Sequence, residues 1–225
     1  MELHIYLKND KEHFLNIKDA LKQTKDQVFL KEDNIVISNS SIINEYINLF
    51  KEQFADAQNS VKNYLNSING TAKLFYISMP TLEVAKILFK HNDGSWLPVP
   101  VSETIHCELI LRFGNVQQPD ISKQVKLSSH NEQAAKATRL YFQEINWINL
   151  YRIFEIMKSD KYNFPKKQLT SFTMSANKVE ISGDDARHGT ASFHGDMPKN
   201  TMNIDEAHEF IAEHMRKWLS PSSSF

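Results

Sequence analysis

Residues 131–157, NEQAAKATRLYFQEINWINLYRIFEIM, decide the fold. Ala134, Ala135, Thr138, Phe142, Ile145, Trp147, Leu150, Tyr151, Phe154 and Met157 recur mostly at three- and four-residue steps, the period of one helical face. The stretch predicts one long helix, or two with a bend near Asn146. Asn163-Phe164-Pro165 closes it, because a proline ring removes a backbone donor and clashes with the preceding turn.

Toward the N-terminus the period changes from 3.6 to 2. Leu3-His4-Ile5-Tyr6-Leu7 alternates, and so do residues 106–113, where Cys107, Leu109, Leu111 and Phe113 interleave with His106, Glu108, Ile110 and Arg112. Val28-Phe29-Leu30 and Ile35-Val36-Ile37 flank the polar Lys31-Glu32-Asp33-Asn34, a hairpin pattern. The first 38 residues thus read as short strands. A helix follows on Ile43, Ile47, Phe50, Phe54, Val61, Leu65 and Ile68, with Ser40 and Ser41 as caps and Gly70 as its stop. Lys73 to Ser78 reads as a strand ending at Met79-Pro80, and Thr81 to Lys90 fits a short helix or a strand. Asn92-Asp93-Gly94 is a turn.

The polar stretch Gln117 to His130 is the expected boundary. The fold class expected is α+β: a strand-rich region with one long helix over residues 1–127, then a helical domain over 128–225. The last helix has the clearest ends. Asn203 and Glu206 have capping-box spacing, and Ile204, Ala207, Ile211, Met215, Trp218 and Leu219 form one stripe. The tail from Ser220 to Phe225 is expected to fray.

Composition narrows the function. With 225 residues, 41% of them apolar, the chain can bury a core. The 26 Lys and Arg against 27 Asp and Glu exclude a strong global field for nucleic acid or anionic membrane, although a local basic patch stays open. Cys107 is the single cysteine, so neither a disulfide framework nor a Cys-based zinc site is expected. The N-terminus is charged at once, and no apolar run approaches the roughly 20 residues of a membrane span. A cytoplasmic protein with no membrane partner is expected. Only 6 Gly occur, and there is no phosphate-binding glycine loop, no paired-His zinc helix and no nucleophile elbow. ATPases, dinucleotide enzymes and metalloproteases fall away, and no cofactor or metal is expected. His208 and His214, six residues apart, point to different faces and read as surface histidines.

The densest group of function-capable side chains is Asp184, Asp185, Arg187, His188 and His194, bracketed by Gly183 and Gly189. An Arg holds two phosphate oxygens through its planar fork, and a His moves a proton near neutral pH, so the pair suits phosphate chemistry. Equally, the acids can cap a helix, Arg187 can pair with one of them, and His188 can fill a polar niche. Glu155 can orient Arg187 or His188 across a helix pair, or it can be a solvated face residue. Asn177 reads as a turn residue.

Residues 147–155, WINLYRIFE, with 172–177, FTMSAN, 183–189, GDDARHG, Met202 and Glu206-Ala207, resemble the C-terminal part of a group of bacterial proteins of unassigned activity with an Ala-Arg-His-Gly core. The likeness covers about residues 140–219. Thr201 stands where a proline is expected before the Met. More loosely, the same stretch is similar to the helical HEPN superfamily, in which many members are dimeric, metal-independent RNases of toxin or phage-defence systems. That resemblance implies Arg187 as the phosphate ligand, His188 or His194 as the general base, and Glu155 or Asp185 as the orienting carboxylate. The superfamily pattern separates its Arg and His by four to six residues. Arg187 and His194 keep six between them, but a helix through Gly189 costs about 1 kcal/mol. Arg187 and His188 are adjacent, pointing about 100° apart on a helix.

Two functions are therefore expected. One is a HEPN-like endoribonuclease acting on RNA as a homodimer. The other is a non-catalytic interaction protein, in which the Arg-His cluster is architectural and the last helix docks on a second copy or a partner protein through Trp218.

Overall fold

The computed structural model describes residues 2–39, 54–75, 81–90, 93–99, 101, 120–186 and 201–220. Five strands form one antiparallel sheet: β1 (Glu2–Leu7), β2 (Gln27–Lys31), β3 (Asn34–Asn39), β4 (Val84–Lys90) and β5 (Trp96–Val99), in the order β2-β3-β1-β4-β5. Helices supply the rest, and the class is α+β. No helix among the described residues is long and apolar enough to cross a membrane.

The β2–β3 hairpin forms as its sequence predicts. Lys31 pairs with Asn34, and Glu32 (φ 51) and Asp33 (φ 64) both take the left-handed conformation that a two-residue turn matched to strand twist demands. The ambiguous stretch before Lys90 is strand β4, which pairs with β1 through Ile5 and Ile87. One feature departs from expectation. Helix α1 (Phe14–Leu21) interrupts what reads as all strand, burying Ile17, Ala20 and Leu21 with no side-chain cap at its start. The fourth-to-fifth strand hairpin ends in β5, which among the described residues pairs on its β4 side alone and holds Pro98, a residue with no backbone donor. The strand expected over 106–113 and the caps Ser40 and Ser41 lie outside the described residues.

Helix α2 (Phe54–Leu74) corrects the reading of Gly70 as a stop and of Lys73 as the start of a strand. It runs through Gly70, and its terminal carbonyl at Leu74 accepts from Arg216 Nε at 2.9 Å. A cation there also suits the negative end of the helix dipole. Asn69, buried within the helix, takes the Leu82 amide at 2.8 Å and donates to its carbonyl at 3.2 Å, tying α2 to the chain entering β4.

Residues 122–130 form helix α3 (Ser122–His130), which buries Ser122, Val125 and Ser128. The deciding stretch resolves into two helices, α4 (Glu132–Phe142) and α5 (Trp147–Ser159). Asn131 caps the first through Ala134 N, and Asn146 caps the second through Asn149 N at 2.8 Å. Each cap satisfies an N–H that a new helix start leaves orphaned, and so places the bend at Asn146. Helix α6 (Lys166–Asn177), the short α7 (Val179–Ser182) and α8 (Ile204–Trp218) complete the unit.

The apolar interior divides in two. One cluster joins Leu3, Ile5, Ile35, Ile37, Ile87 and Phe89 of the sheet to Ile17, Val61, Leu65, Ile68 and Val125. The other joins Leu74 to residues of α4, α5, α6 and α8. Helix α2 contributes to both and packs closely on α4. The capping box of Asn203 and Glu206 is present, and the α8 stripe is buried in this second core. Trp218, assigned to a partner contact in the interaction reading, is 6% exposed and donates from Nε1 to Asp160 Oδ2 at 2.8 Å. It packs within its own chain.

Candidate functional site

The end of α6 holds both ends of the segment that carries the Arg-His cluster. Ser175 is fully buried, and its Oγ accepts from the backbone N–H of Met202 at 2.7 Å, fixing where the chain returns. Ser182 Oγ donates to the Lys178 carbonyl at 2.8 Å within its own turn and reaches the Ala176 carbonyl of α6 at 3.4 Å, where the chain departs. Asn177 is the last helical residue of α6 and not a turn residue; its Oδ1 is buried with no hydrogen-bond partner among the described residues. Gly183 then turns the chain with φ +58 into a single 3-10 turn, Gly183–Asp185, closed by Ala186 N on the Gly183 carbonyl.

A Cβ at Gly183 would meet nothing within 4 Å. Its requirement is therefore purely conformational, since a side chain in the left-handed region costs about 1–2 kcal/mol. Gly183→Ala is expected to lower stability by that amount in urea unfolding. Unchanged stability would show that this turn tolerates a Cβ.

Of the five candidate residues, the structure describes Glu155 and Asp185. Asp185 sits half-buried in the 3-10 turn, and Glu155 is exposed on α5. They lie on separate elements with no hydrogen bond between them. Arg187, His188 and His194 lie outside the described residues.

Glu155 instead lines an open groove of about 590 Å³ between α4 and α5. Gln133, Lys136 and Leu140 form one wall, and Arg152, Glu155, Ile156 and Ser159 the other. Lys136 and Arg152 form no ion pair or hydrogen bond among the described residues. These two were not singled out from the sequence. Each has a lining neighbour three and four residues away on its own helix, a spacing visible in the sequence, but which faces meet is a tertiary fact.

The histidines of α8 are not surface residues. His214 is 3% exposed, boxed by Phe164, Phe210 and Tyr162, with Tyr162 Oη 2.9 Å from its Nδ1. His208 stacks on Tyr141 with ring centroids 5.2 Å apart. Burial pushes both below the usual histidine pKa; for His208 the nearby Lys73 and Arg216 add to this and Glu209 and Asp205 oppose it, while for His214 Lys217 adds and Glu213 opposes. Among the described residues no group of three or more His, Cys, Asp or Glu is placed to hold a metal ion.

A depressed histidine pKa means that the folded state binds fewer protons than the unfolded chain. Stability is complete above the unfolded value of about 6.5 and falls as pH drops from there toward the folded values. Melting temperatures are expected to be level above about pH 7 and to decline through the weakly acidic range. His208→Gln and His214→Gln should each flatten that decline, and an unaltered slope in both would contradict the assignment.

Comparison with protein-family models, with curated proteins and with solved structures finds no match for the chain.

Proposed function

We propose that the helical unit acts on RNA as a HEPN-like, metal-independent endoribonuclease. The observation that supports it best is that the described residues on either side of the Arg-His segment meet at the end of α6: the Met202 N–H donates to buried Ser175 Oγ, and buried Ser182 Oγ reaches the Ala176 carbonyl at 3.4 Å. Function-bearing segments are typically loops mounted on a rigid scaffold. In this reading Arg187 binds the scissile phosphate and stabilises the charge that develops on it. His188 or His194 removes the proton of the neighbouring 2′-hydroxyl. Asp185, at the segment's start, orients the histidine. Attack by an internal hydroxyl needs proton transfer and charge stabilisation, and both are within reach of these side chains.

The sugar is the test. The protein is expected to cut an RNA strand in EDTA, leaving 2′,3′-cyclic phosphate ends, and to leave the 2′-deoxy version of that strand intact. Equal cutting of both would overturn the mechanism.

A second reading, a non-catalytic interaction protein, draws on Ile145 and Ile148, which are 42% and 41% exposed at the corner where α5 begins. Scattered exposed apolar residues are normal on a protein surface, so this support is the weaker.

A further inference from the structure

We propose that the groove between α4 and α5 is the docking track for the single-stranded RNA backbone, an inference that rests on the RNA reading above. The lining residues on α4 stand at positions 133, 136 and 140, and those on α5 at 152, 155, 156 and 159, so each wall follows one helical face over seven residue steps. At 1.5 Å per residue that is a trough about 10 Å long. Each wall contributes one cation, Lys136 from α4 and Arg152 from α5, to a trough open to solvent. A chain of regularly spaced phosphates can lie along such a trough, whereas a compact metabolite is better served by an enclosed pocket.

The rest of the lining sharpens the substrate class. Leu140 and Ile156 are its apolar members, and Gln133 and Ser159 offer neutral polar groups on opposite walls. Glu155 stands one helical turn from Arg152 and is the one carboxylate among the described lining residues, so the phosphates are held by Lys136 and Arg152 alone. Among the described lining residues none is aromatic, and the contacts they offer are to phosphate and sugar rather than to a base face. Contacts to phosphate and sugar position a strand without reading its sequence. The groove therefore takes RNA irrespective of sequence, with an affinity that falls steeply with salt.

The experiment uses the full chain and a labelled, uncleavable 2′-O-methyl oligoribonucleotide of roughly a dozen nucleotides, in the range of single-strand binding sites. Binding is followed by fluorescence anisotropy across a salt series, for wild type and for the Lys136→Ala/Arg152→Ala double variant. All the charged positions are exposed, so the variant keeps the fold, which circular dichroism checks. The wild type should bind, and the variant should bind about tenfold more weakly. Its log K against log salt slope should be smaller by about 1.4, two contacts at about 0.7 each on a single strand. If the two proteins bind RNA with the same slope, the groove is not the track, while the RNA reading survives. If the wild type binds no RNA even at low salt, both are overturned, and the groove becomes a surface for another partner.

Discussion

Gly70→Ala is expected to destabilise the protein by about 3 kcal/mol, although the residue lies inside a helix. Helix propensity argues for the opposite sign, since alanine is favoured over glycine by about 1 kcal/mol at an interior position. Packing decides it. A Cβ at Gly70 would sit 1.9 Å from the carbonyl oxygen of Thr138 and 2.7 Å from its carbonyl carbon. Those atoms are backbone within α4 and cannot rotate aside, so α2 and α4 must separate. Separation also pulls apart Ser67 Oγ of α2 and Thr138 Oγ1 of α4, 3.0 Å apart, and strains the adjoining bond from Ser67 Oγ to the Ser128 carbonyl of α3 at 2.8 Å. Thr71 Oγ1 and Ser128 Oγ, 2.9 Å apart, belong to the same polar seam. A buried polar group left without its partner costs about 1–3 kcal/mol. Urea unfolding should show a lower midpoint with an unchanged slope. A midpoint that stays or rises would mean that the close crossing is absent.

Phe172→Ala should cost about 3–5 kcal/mol, the usual range for emptying a buried aromatic site. Phe172 is fully buried, with its ring centroid 5.4 Å from Phe210, 5.6 Å from Phe154, and 6.1 Å from both Trp147 and Tyr151. It thus joins α6 to α5 and α8 at once. The surrounding rings are rigid and already engaged, so they collapse poorly into the space left. Phe172→Leu retains most of the volume and should cost about 1.5 kcal/mol or less. The two variants together separate volume from aromatic contact, and equal losses would show that ring geometry outweighs filling.

The elements that were legible in the sequence are those specified locally. The hairpin of β2 and β3 has its turn residues between its strands, and α8 has its capping box and its apolar stripe between Asn203 and Leu219. The division of residues 131–157 was half legible: the periodicity showed helix, and the cap at Asn146 settled that there are two. Where the deciding contact is distant in sequence, the reading failed. Gly70 looks like a helix stop by propensity, yet it is glycine because Thr138, far along the chain, passes against it. His214 looks like a surface residue until Tyr162, Phe164 and Phe210 close around it. Helix α1 has eight residues and no side-chain cap, so neither end announces it.

The site divides in the same way. The concentration of chemistry in residues 184–194 is a property of the sequence itself. That Glu155 faces α4 across a groove with Lys136, and that Ser175 anchors Met202, depend on how helices meet. One orienting role was therefore offered to both Glu155 and Asp185, where the fold gives them different surroundings.

Cleavage of single-stranded RNA in EDTA by the purified protein, beside Arg187→Ala and His188→Ala variants that keep the wild-type circular dichroism, tests the central claim most directly. The account predicts cutting by the wild type and loss of cutting on Arg187→Ala, with His188→Ala deciding between His188 and His194 as the base. Wild-type protein that leaves RNA intact, or an Arg187→Ala variant that cuts it at the wild-type rate, would contradict the account.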